Sequence, residues 1–212
     1  MKNVHLVEHP LIHHKLSLLR SKSCGPKDFR NLIIEIATLL TYEACSDFKT
    51  KEIDIETPLA VTKGQVLSGK KVGIVAILRA GLGMVDGVLH VFPNAKIGLV
   101  GVYRNEETLA PVQYYVRYLD KLAERNVIVV DPMLATGNTA TFAIDLLKKK
   151  GALKISFLGI LASKQGAKCL SQAHPDVDIY LAGIDESLND SGYILPGLGD
   201  AGDRIFGTVQ NP

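Results

Sequence analysis

Runs of β-branched and aliphatic residues alternate along this chain with stretches whose apolar positions recur every three or four residues. Residues 10–20 (PLIHHKLSLLR) set Leu11, Ile12, Leu16 and Leu19 on one side, with Pro10 at a natural first helical position. Pro26 opens a second predicted helix, reaching about residue 46, whose stripe is Phe29, Leu32, Ile33, Ile36, Leu39 and Leu40. Residues 51–57 alternate Ile53 and Ile55 with acids and read as an edge strand with one wet face. Residues 71–78 (KVGIVAIL) read as a buried strand, 81–92 as a helix and 97–103 as a strand. The pattern continues with a strand at 127–131, a helix to 150, a strand at 154–161, a helix at 164–173 and a strand at 177–181. Such alternation predicts βαβ units, hence an α/β fold with a mainly parallel central sheet flanked by helices. Ligands of such sheets collect at the carboxyl ends of the strands.

Two segments break the alternation. Residues 108–119 (TLAPVQYYVRYL) have strand propensity with no helix beyond them, and suggest a protruding hairpin arm over 104–120. A lone hairpin is marginal in water, so a subunit partner is expected to cover it. After Gly183 the chain is rich in Gly, Asp and Pro and long for a loop, which marks residues 183–212 as a candidate functional lid.

At 212 residues and 47% hydrophobic, the chain suits a single α/β domain, with residues 1–50 as N-terminal helices on one flank. The net charge of +2 shows no Lys/Arg stripe, so nucleic acid is not expected as a partner. Arg79, Arg104 and Arg117 nevertheless sit near predicted strand ends, where an anionic small molecule would meet them. Cys24, Cys45 and Cys169 have no paired or metal-like spacing, which suggests a reducing compartment, with Cys45 in the core. The N-terminus lacks the apolar run of a signal peptide, and no stretch approaches the ~20 apolar residues of a membrane span. A cytoplasmic protein without membrane contacts is expected.

The most informative stretch is VIVVDPMLATGNTA, residues 127–140. A buried strand ends on Asp131. A small-residue turn follows and opens a helix near Thr139, with Phe142, Ala143, Leu146 and Leu147 at helical spacing. A helix N-terminus has unpaired N–H donors and a partial positive charge, which suits a phosphate. Read alone, the segment is either a site for a ligand with sugar and phosphate or an ordinary crossover with an N-capping Thr. It resembles the phosphoribosyl-diphosphate motif of the type I phosphoribosyltransferases, and the DPMLATG version is similar to that of the uracil phosphoribosyltransferases. The resemblance implies that Asp131 holds ribose hydroxyls, with the turn of Pro132, Met133, Leu134, Ala135, Thr136, Gly137, Asn138 and Thr139 around the donor 5′-phosphate. Asn138 stands where the family usually has a second Gly; Asn tolerates left-handed backbone better than most residues.

Residues 77–84 (ILRAGLGM) invite comparison with a dinucleotide fingerprint, but Asp86 occupies the place of its third glycine. The segment better resembles the family's pyrophosphate loop, with Arg79 as the diphosphate clamp. An Arg fork grips phosphate oxygens with two bonds. The plain alternative pairs Arg79 with Asp86. Arg104 is assigned by the same resemblance to the diphosphate, or else is a solvated residue like Glu106 and Glu107.

The segment SGYILPGLGDAGDR, residues 191–204, matches the family's base-binding segment. Its glycines let the main chain approach a flat ligand closely. The resemblance implies a C-terminal hood in which Ile194, Gly199, Asp200 and Ala201 meet uracil, with Asp200 also facing the donor and Mg²⁺. The alternative is a terminal loop with no ligand.

The implied reaction joins uracil to 5-phosphoribosyl 1-diphosphate, giving UMP and diphosphate. Arg79, Arg104, Asp131 and Asp200 are the implied catalytic groups, with Mg²⁺ held mainly by the diphosphate. Some relatives respond to GTP and many are homodimers or larger, so both are carried as expectations. Other readings are a uracil-nucleotide-sensing RNA-binding regulator on the same fold and the same enzyme class acting on a purine. His9 and His13 are four apart, but no further ligand clusters with them to make a zinc site.

Overall fold

Every strand of the alternation becomes a strand because its apolar run is short, β-branched and closed by turn residues, whereas the helices carry one apolar face. The computed structural model describes residues 1–104 and 111–208, without the Arg104 side chain. In chain order the elements are β1 (Val4–Leu6), α1 (Pro10–Arg20), α2 (Pro26–Ala44), β2 (Thr50–Glu56), β3 (Val61–Leu67), β4 (Lys71–Leu78) and α3 (Leu82–Val91). There follow β5 (Lys96–Arg104), β6 (Pro111–Arg117), β7 (Arg125–Val130), β8 (Met133–Leu134), α4 (Asn138–Lys149), β9 (Lys154–Ser163) and α5 (Lys164–Ala173). The chain ends with β10 (Asp178–Asp185), β11 (Ser187–Leu188), β12 (Ile194–Leu195) and α6 (Ala201–Phe206).

The central sheet runs β1-β10-β9-β7-β4-β5-β6, with β8 alongside β9. All its pairs are parallel except β5 with β6. Its strands feed two cores by alternation. Val72, Ile74 and Ala76 of β4 and Ile128 and Val130 of β7 pack with α1, α2, α3 and α6 on one face. Val75, Ile77, Val127 and Val129 pack with α4 and α5 on the other. The helix after β4 therefore covers one face and the helix after β7 the opposite face, although the two strands are neighbours. A crevice opens between adjacent strands where the connections part in this way, and it lies at their carboxyl ends, at Arg79 and Asp131.

Most predicted elements stand within a few residues of their expected bounds; the differences have local causes. Leu11 is 51% exposed and lies off the apolar face formed by Ile12, Leu16 and Leu19. Residues 51–57 are not an edge strand of the central sheet. Residues 51–56 belong to β2, which among the described residues pairs only with β3, in a separate two-stranded ribbon. The strand expected in 108–119 is present as β6, but it is the antiparallel edge of the central sheet rather than an arm standing off it. The ribbon that stands off is β2–β3, and residues 105–110 of the expected arm lie outside the described residues. β10 continues to Asp185, so the C-terminal segment leaves the sheet two residues beyond Gly183. Cys45 is half-buried at the end of α2, where desolvation pushes its thiol up to about 12, with Asp47 adding to the rise. Among the described residues no helix is long and apolar enough to cross a membrane.

Candidate active site

Asp131 is the first residue past β7, at the carboxyl edge of the sheet. Its carboxyl is half-buried and accepts one long hydrogen bond, 3.5 Å, from the Met133 N–H. Desolvation raises its pKa to about 7, and that weak bond opposes the rise only in part. A carboxyl raised so far at a strand's carboxyl end marks a candidate functional residue.

The turn that follows is built from two kinds of residue. Pro132 and Leu134 serve the sheet: the Pro132 carbonyl accepts from the N–H groups of Ile160 and Leu161, and Leu134 is a core side chain only 2% exposed. Met133 and Leu134 form β8 against β9. The remaining residues, 135–139, curl into the start of α4. Gly137 is the N-cap of that helix, with φ +86, and brings no side chain to its first turn, where a helix presents N–H donors. A Cβ at Gly137 would stand 2.8 Å from both the Cys169 Cβ and the Gly166 carbonyl oxygen, so only glycine fits.

Asn138 departs from the expectation attached to it. It is the first residue of α4, and the only non-glycine with positive φ among the described residues is Lys121. Replacing a glycine there asks nothing unusual of the Asn backbone. Its side-chain oxygen accepts from the Cys169 thiol at 3.7 Å.

Ser163 and Gly166, which sequence reasoning did not single out, hold this turn from below. Ser163 Oγ donates to the Ala135 carbonyl at 2.5 Å and accepts from the Gly166 N–H at 2.8 Å, capping α5 at the same time. A Cβ on Gly166 would lie 2.3 Å from the carbonyl oxygens of Leu134 and Ala135. A Ser directly before the predicted helix at 164 was the available signal, as an N-cap.

Arg79 leaves the carboxyl end of β4, next to β7. It does not pair with Asp86. Its guanidinium donates to Asp203 at 3.2 Å and lies 5.8 Å from the Phe206 ring centroid. Asp200 is close by: a Cβ on Gly202 would stand 3.2 Å from Asp200 Oδ1 and 3.6 Å from Arg79 Nη2. Asp200 caps α6 by accepting the Asp203 N–H at 2.8 Å. Ile194, Leu198, Ala201 and Ile205 are all buried in the core that includes α1 and α2, so the C-terminal segment is seated on the protein rather than loose. β12 also touches β9, the strand that carries β8. The two signature segments thus share one edge of the sheet.

Ile194, Gly199 and Ala201 lie beside Asp200 in that segment. Asp203, absent from the expected residues, joins it to Arg79. Arg117 belongs elsewhere: it ends β6 opposite Leu99, back along the sheet from this edge. The side chain of Arg104, and Glu106 and Glu107, lie outside the described residues. His9 is occupied as the cap of α1, its Nδ1 accepting from the Leu11 N–H at 3.1 Å. No cluster of three or more His, Cys, Asp or Glu suited to a metal occurs among the described residues.

Fold and site define a type I phosphoribosyltransferase. The adenine phosphoribosyl transferase of Trypanosoma brucei, solved with AMP, pyrophosphate and ribose-5-phosphate, shares the fold at TM-score 0.60 and 15% identity, over 94% of this chain and 89% of that one. The AQ2163 protein from Aquifex aeolicus matches much more closely, at TM-score 0.91 and 38% identity over 98% of this chain and all of that one. The uracil phosphoribosyltransferase family model matches residues 6–208. A uracil phosphoribosyltransferase of Clostridium tetani is 57% identical over 208 residues, 98% of this chain and the whole of that protein. The chain belongs to the uracil phosphoribosyltransferase family.

Proposed function

We propose that this protein transfers the phosphoribosyl group of 5-phosphoribosyl 1-diphosphate to uracil, giving UMP and diphosphate in nucleotide salvage. The reading rests on the convergence of Arg79, Asp131 and Asp200 at one sheet edge, beside the N-terminus of α4. In the reaction the bond from C1′ to the diphosphate oxygen breaks and a bond from C1′ to uracil N1 forms, with loss of the N1 proton. The first turn of α4 and residues 135–139 hold the 5′-phosphate through N–H donors. Asp131, once ionised, accepts from the ribose hydroxyls and favours the positive charge that develops on the sugar. Arg79 meets the leaving diphosphate, a preorganised charge whose removal costs on the order of 10²–10³ in rate by comparison with oxyanion-hole donors. Arg104 is assigned to the same diphosphate by family resemblance. Backbone groups of Ile194, Gly199, Asp200 and Ala201 pair with the uracil carbonyls and N–H.

Mg²⁺ suits this donor set. It binds one or two carboxylates together with substrate phosphates rather than a full protein cage. Asp200 is the carboxylate in place for it, because the α6 cap uses Oδ1 and leaves Oδ2 outside that bond. The ion would neutralise charge on the diphosphate.

A homodimer is the proposed minimal assembly. The β2–β3 ribbon is covered by no other strand and exposes Leu59 (96%), Val61 (70%) and Leu67 (57%). Exposed apolar surface on a marginal ribbon marks a protein interface. The three free thiols fit a reducing, cytoplasmic setting. Relatives named for the enzyme leave the RNA-binding regulator without support.

The direct experiment combines protein, Mg²⁺, uracil and phosphoribosyl diphosphate and looks for UMP. No product from folded protein that binds the donor would overturn the reading. GTP, raised by family resemblance, is to be added to the same assay as an effector.

A further inference from the structure

The turn proposed to read the base is held by an ion pair whose two residues lie beyond every signature motif. Asp185, at the end of β10, is only 8% exposed at its side chain. Its two oxygens accept from both terminal nitrogens of Arg20 at 2.7 Å, a bidentate pair that joins the end of α1 to the sheet. The same carboxylate accepts the Gly197 N–H at 2.9 Å, and Arg20 Nη1 donates to the Gly197 carbonyl at 2.8 Å. Both polar groups of one residue in the base-binding turn are thereby taken by one ion pair. One residue on, Arg204 Nη1 donates to the Leu198 carbonyl at 2.6 Å, and its guanidinium stacks 4.2 Å from the Phe29 ring centroid. Consecutive carbonyls, 197 and 198, each accept from a guanidinium that links them to the N-terminal part of the chain: Arg20 extends from α1, and Arg204 lies against Phe29 of α2 and donates to the Ser21 carbonyl. Gly199, Asp200 and Ala201 follow immediately.

We propose that Arg20 and Asp185 are positioning residues for base recognition: their ion pair fixes the peptide groups of Gly197 and so aims residues 199–201 at uracil. The inference rests on the reading of 194–201 as the base-binding segment. Charge-assisted, bidentate bonds fix direction as well as distance. A site that discriminates by hydrogen bonds to a planar ring needs that direction, because a small tilt of the peptide plane leaves donors unpaired. Arg20 and Asp185 lie far from the donor groups in sequence, and neither contacts Arg79 or Asp131. The inference therefore separates base from donor: the clamp acts on uracil binding and not on the phosphoribosyl diphosphate.

The test is steady-state kinetics of the full-length enzyme with Arg20→Met, Arg20→Lys and Asp185→Asn, each checked for folding by thermal melting. For Arg20→Met the KM for uracil is expected to rise at least about tenfold, with kcat at saturating uracil and the KM for phosphoribosyl diphosphate within about threefold of the parent. Added guanidinium ion at millimolar concentration is expected to recover part of the uracil KM. Arg20→Lys keeps the charge without the fork and should fall between the two; it carries the test if Arg20→Met does not fold. A uracil KM within twofold of the parent in folded Arg20→Lys and Asp185→Asn overturns the inference, as does an equal loss in every kinetic constant. Gly199→Ala, at a backbone φ of +81 that an L-residue resists, separates the two layers of the argument. If it raises the uracil KM while the Arg20 and Asp185 variants do not, the positioning role falls and the base-binding reading stands. If none of them moves it, both fall.

Discussion

The Arg79 guanidinium and the Asp203 carboxylate stand 3.2 Å apart and join the loop after β4 to the first turn of α6. The loop proposed to meet the donor is thus tied to the element that follows the proposed base-binding turn. Asp203 also accepts from the Thr208 hydroxyl at 2.6 Å, which fixes the carboxylate whether or not Arg79 is present. A diphosphate entering the crevice competes with Asp203 for the same guanidinium. Arg79 is more than half exposed, so the pair is weak, within about 0–1 kcal/mol. Asp203→Asn is expected to tighten diphosphate binding by up to about fivefold, the same energy as a ratio of constants. Calorimetric titration of diphosphate into the two proteins checks it; weaker binding by the variant would show that Asp203 orients Arg79 rather than competing for it.

Asp131 predicts a pH dependence with a definite sign. Its carboxyl has a higher pKa in the fold, about 7, than its ordinary 3.8, so between those values the folded protein binds more protons than the unfolded chain. The contribution of the protonated group to stability is complete below about pH 4. It is lost progressively up to pH 7, after which the loss is constant. Asp131→Asn cannot ionise. Its melting temperature should exceed the parent's by several degrees at pH 8 and match it near pH 4. Activity is expected to run the other way, since the proposed ribose contacts need the carboxylate. The kcat/KM for phosphoribosyl diphosphate should fall toward tenfold per pH unit below about 7, and Asp131→Asn should lose most of it. A flat profile from pH 5 to 8 would remove Asp131 from the donor site.

What the chain made legible were features written locally. Helix α5 runs from Lys164 to Ala173, the bounds expected for it, because helical periodicity is a local signal. The strand and the turn into a helix within residues 127–140 were legible for the same reason, as β7 ending at Val130 and α4 starting at Asn138. β3, by contrast, has the sequence VTKGQVL, with no apolar run or strict alternation, and its pairing with β2 left no mark. The contacts that complete the site are also long-range: Arg79 and Asp203 are 124 residues apart, and Arg20 and Asp185 are 165 apart. Nothing within a window of one helix or strand points from one partner to the other. The segment expected as a hairpin at 104–120 was legible in part: its strand, β6, pairs antiparallel with β5 at the edge of the central sheet. Its strand propensity was real, but propensity does not say whether a strand joins the central sheet or leaves it.

The support beneath the phosphate turn predicts a separation of effects. A methyl group on Gly166 would meet two carbonyl oxygens at 2.3 Å, and backbone cannot yield as a flexible side chain does. The relief is movement of residues 134–137 toward the crevice. Gly166→Ala is expected to cost about 1–3 kcal/mol of stability, as overpacking does, and to raise the KM for phosphoribosyl diphosphate about tenfold. The proposed base-binding segment packs on the core that includes α1 and α2 rather than on α5, so uracil binding measured in the presence of diphosphate should change little. Equal weakening of both ligands would mean that the turn and the base-binding segment move together.

The β2–β3 ribbon gives the last prediction. Two strands alone bury too little to hold themselves in water, and this ribbon points Leu59, Val61 and Leu67 outward while Lys63 pairs with Asp54 across it. Apolar side chains on such an element are stable if a second copy of the chain covers them. Leu59→Asp with Val61→Asp places two charges where the partner's apolar surface would lie, and a buried unpaired charge is far costlier than an exposed one. The double variant is expected to sediment as a monomer at concentrations where the parent sediments as a dimer or larger. Its central sheet should remain folded by circular dichroism, because none of its core residues comes from the ribbon. Unchanged sedimentation would place the subunit contact elsewhere, and a monomeric parent would remove the need for one.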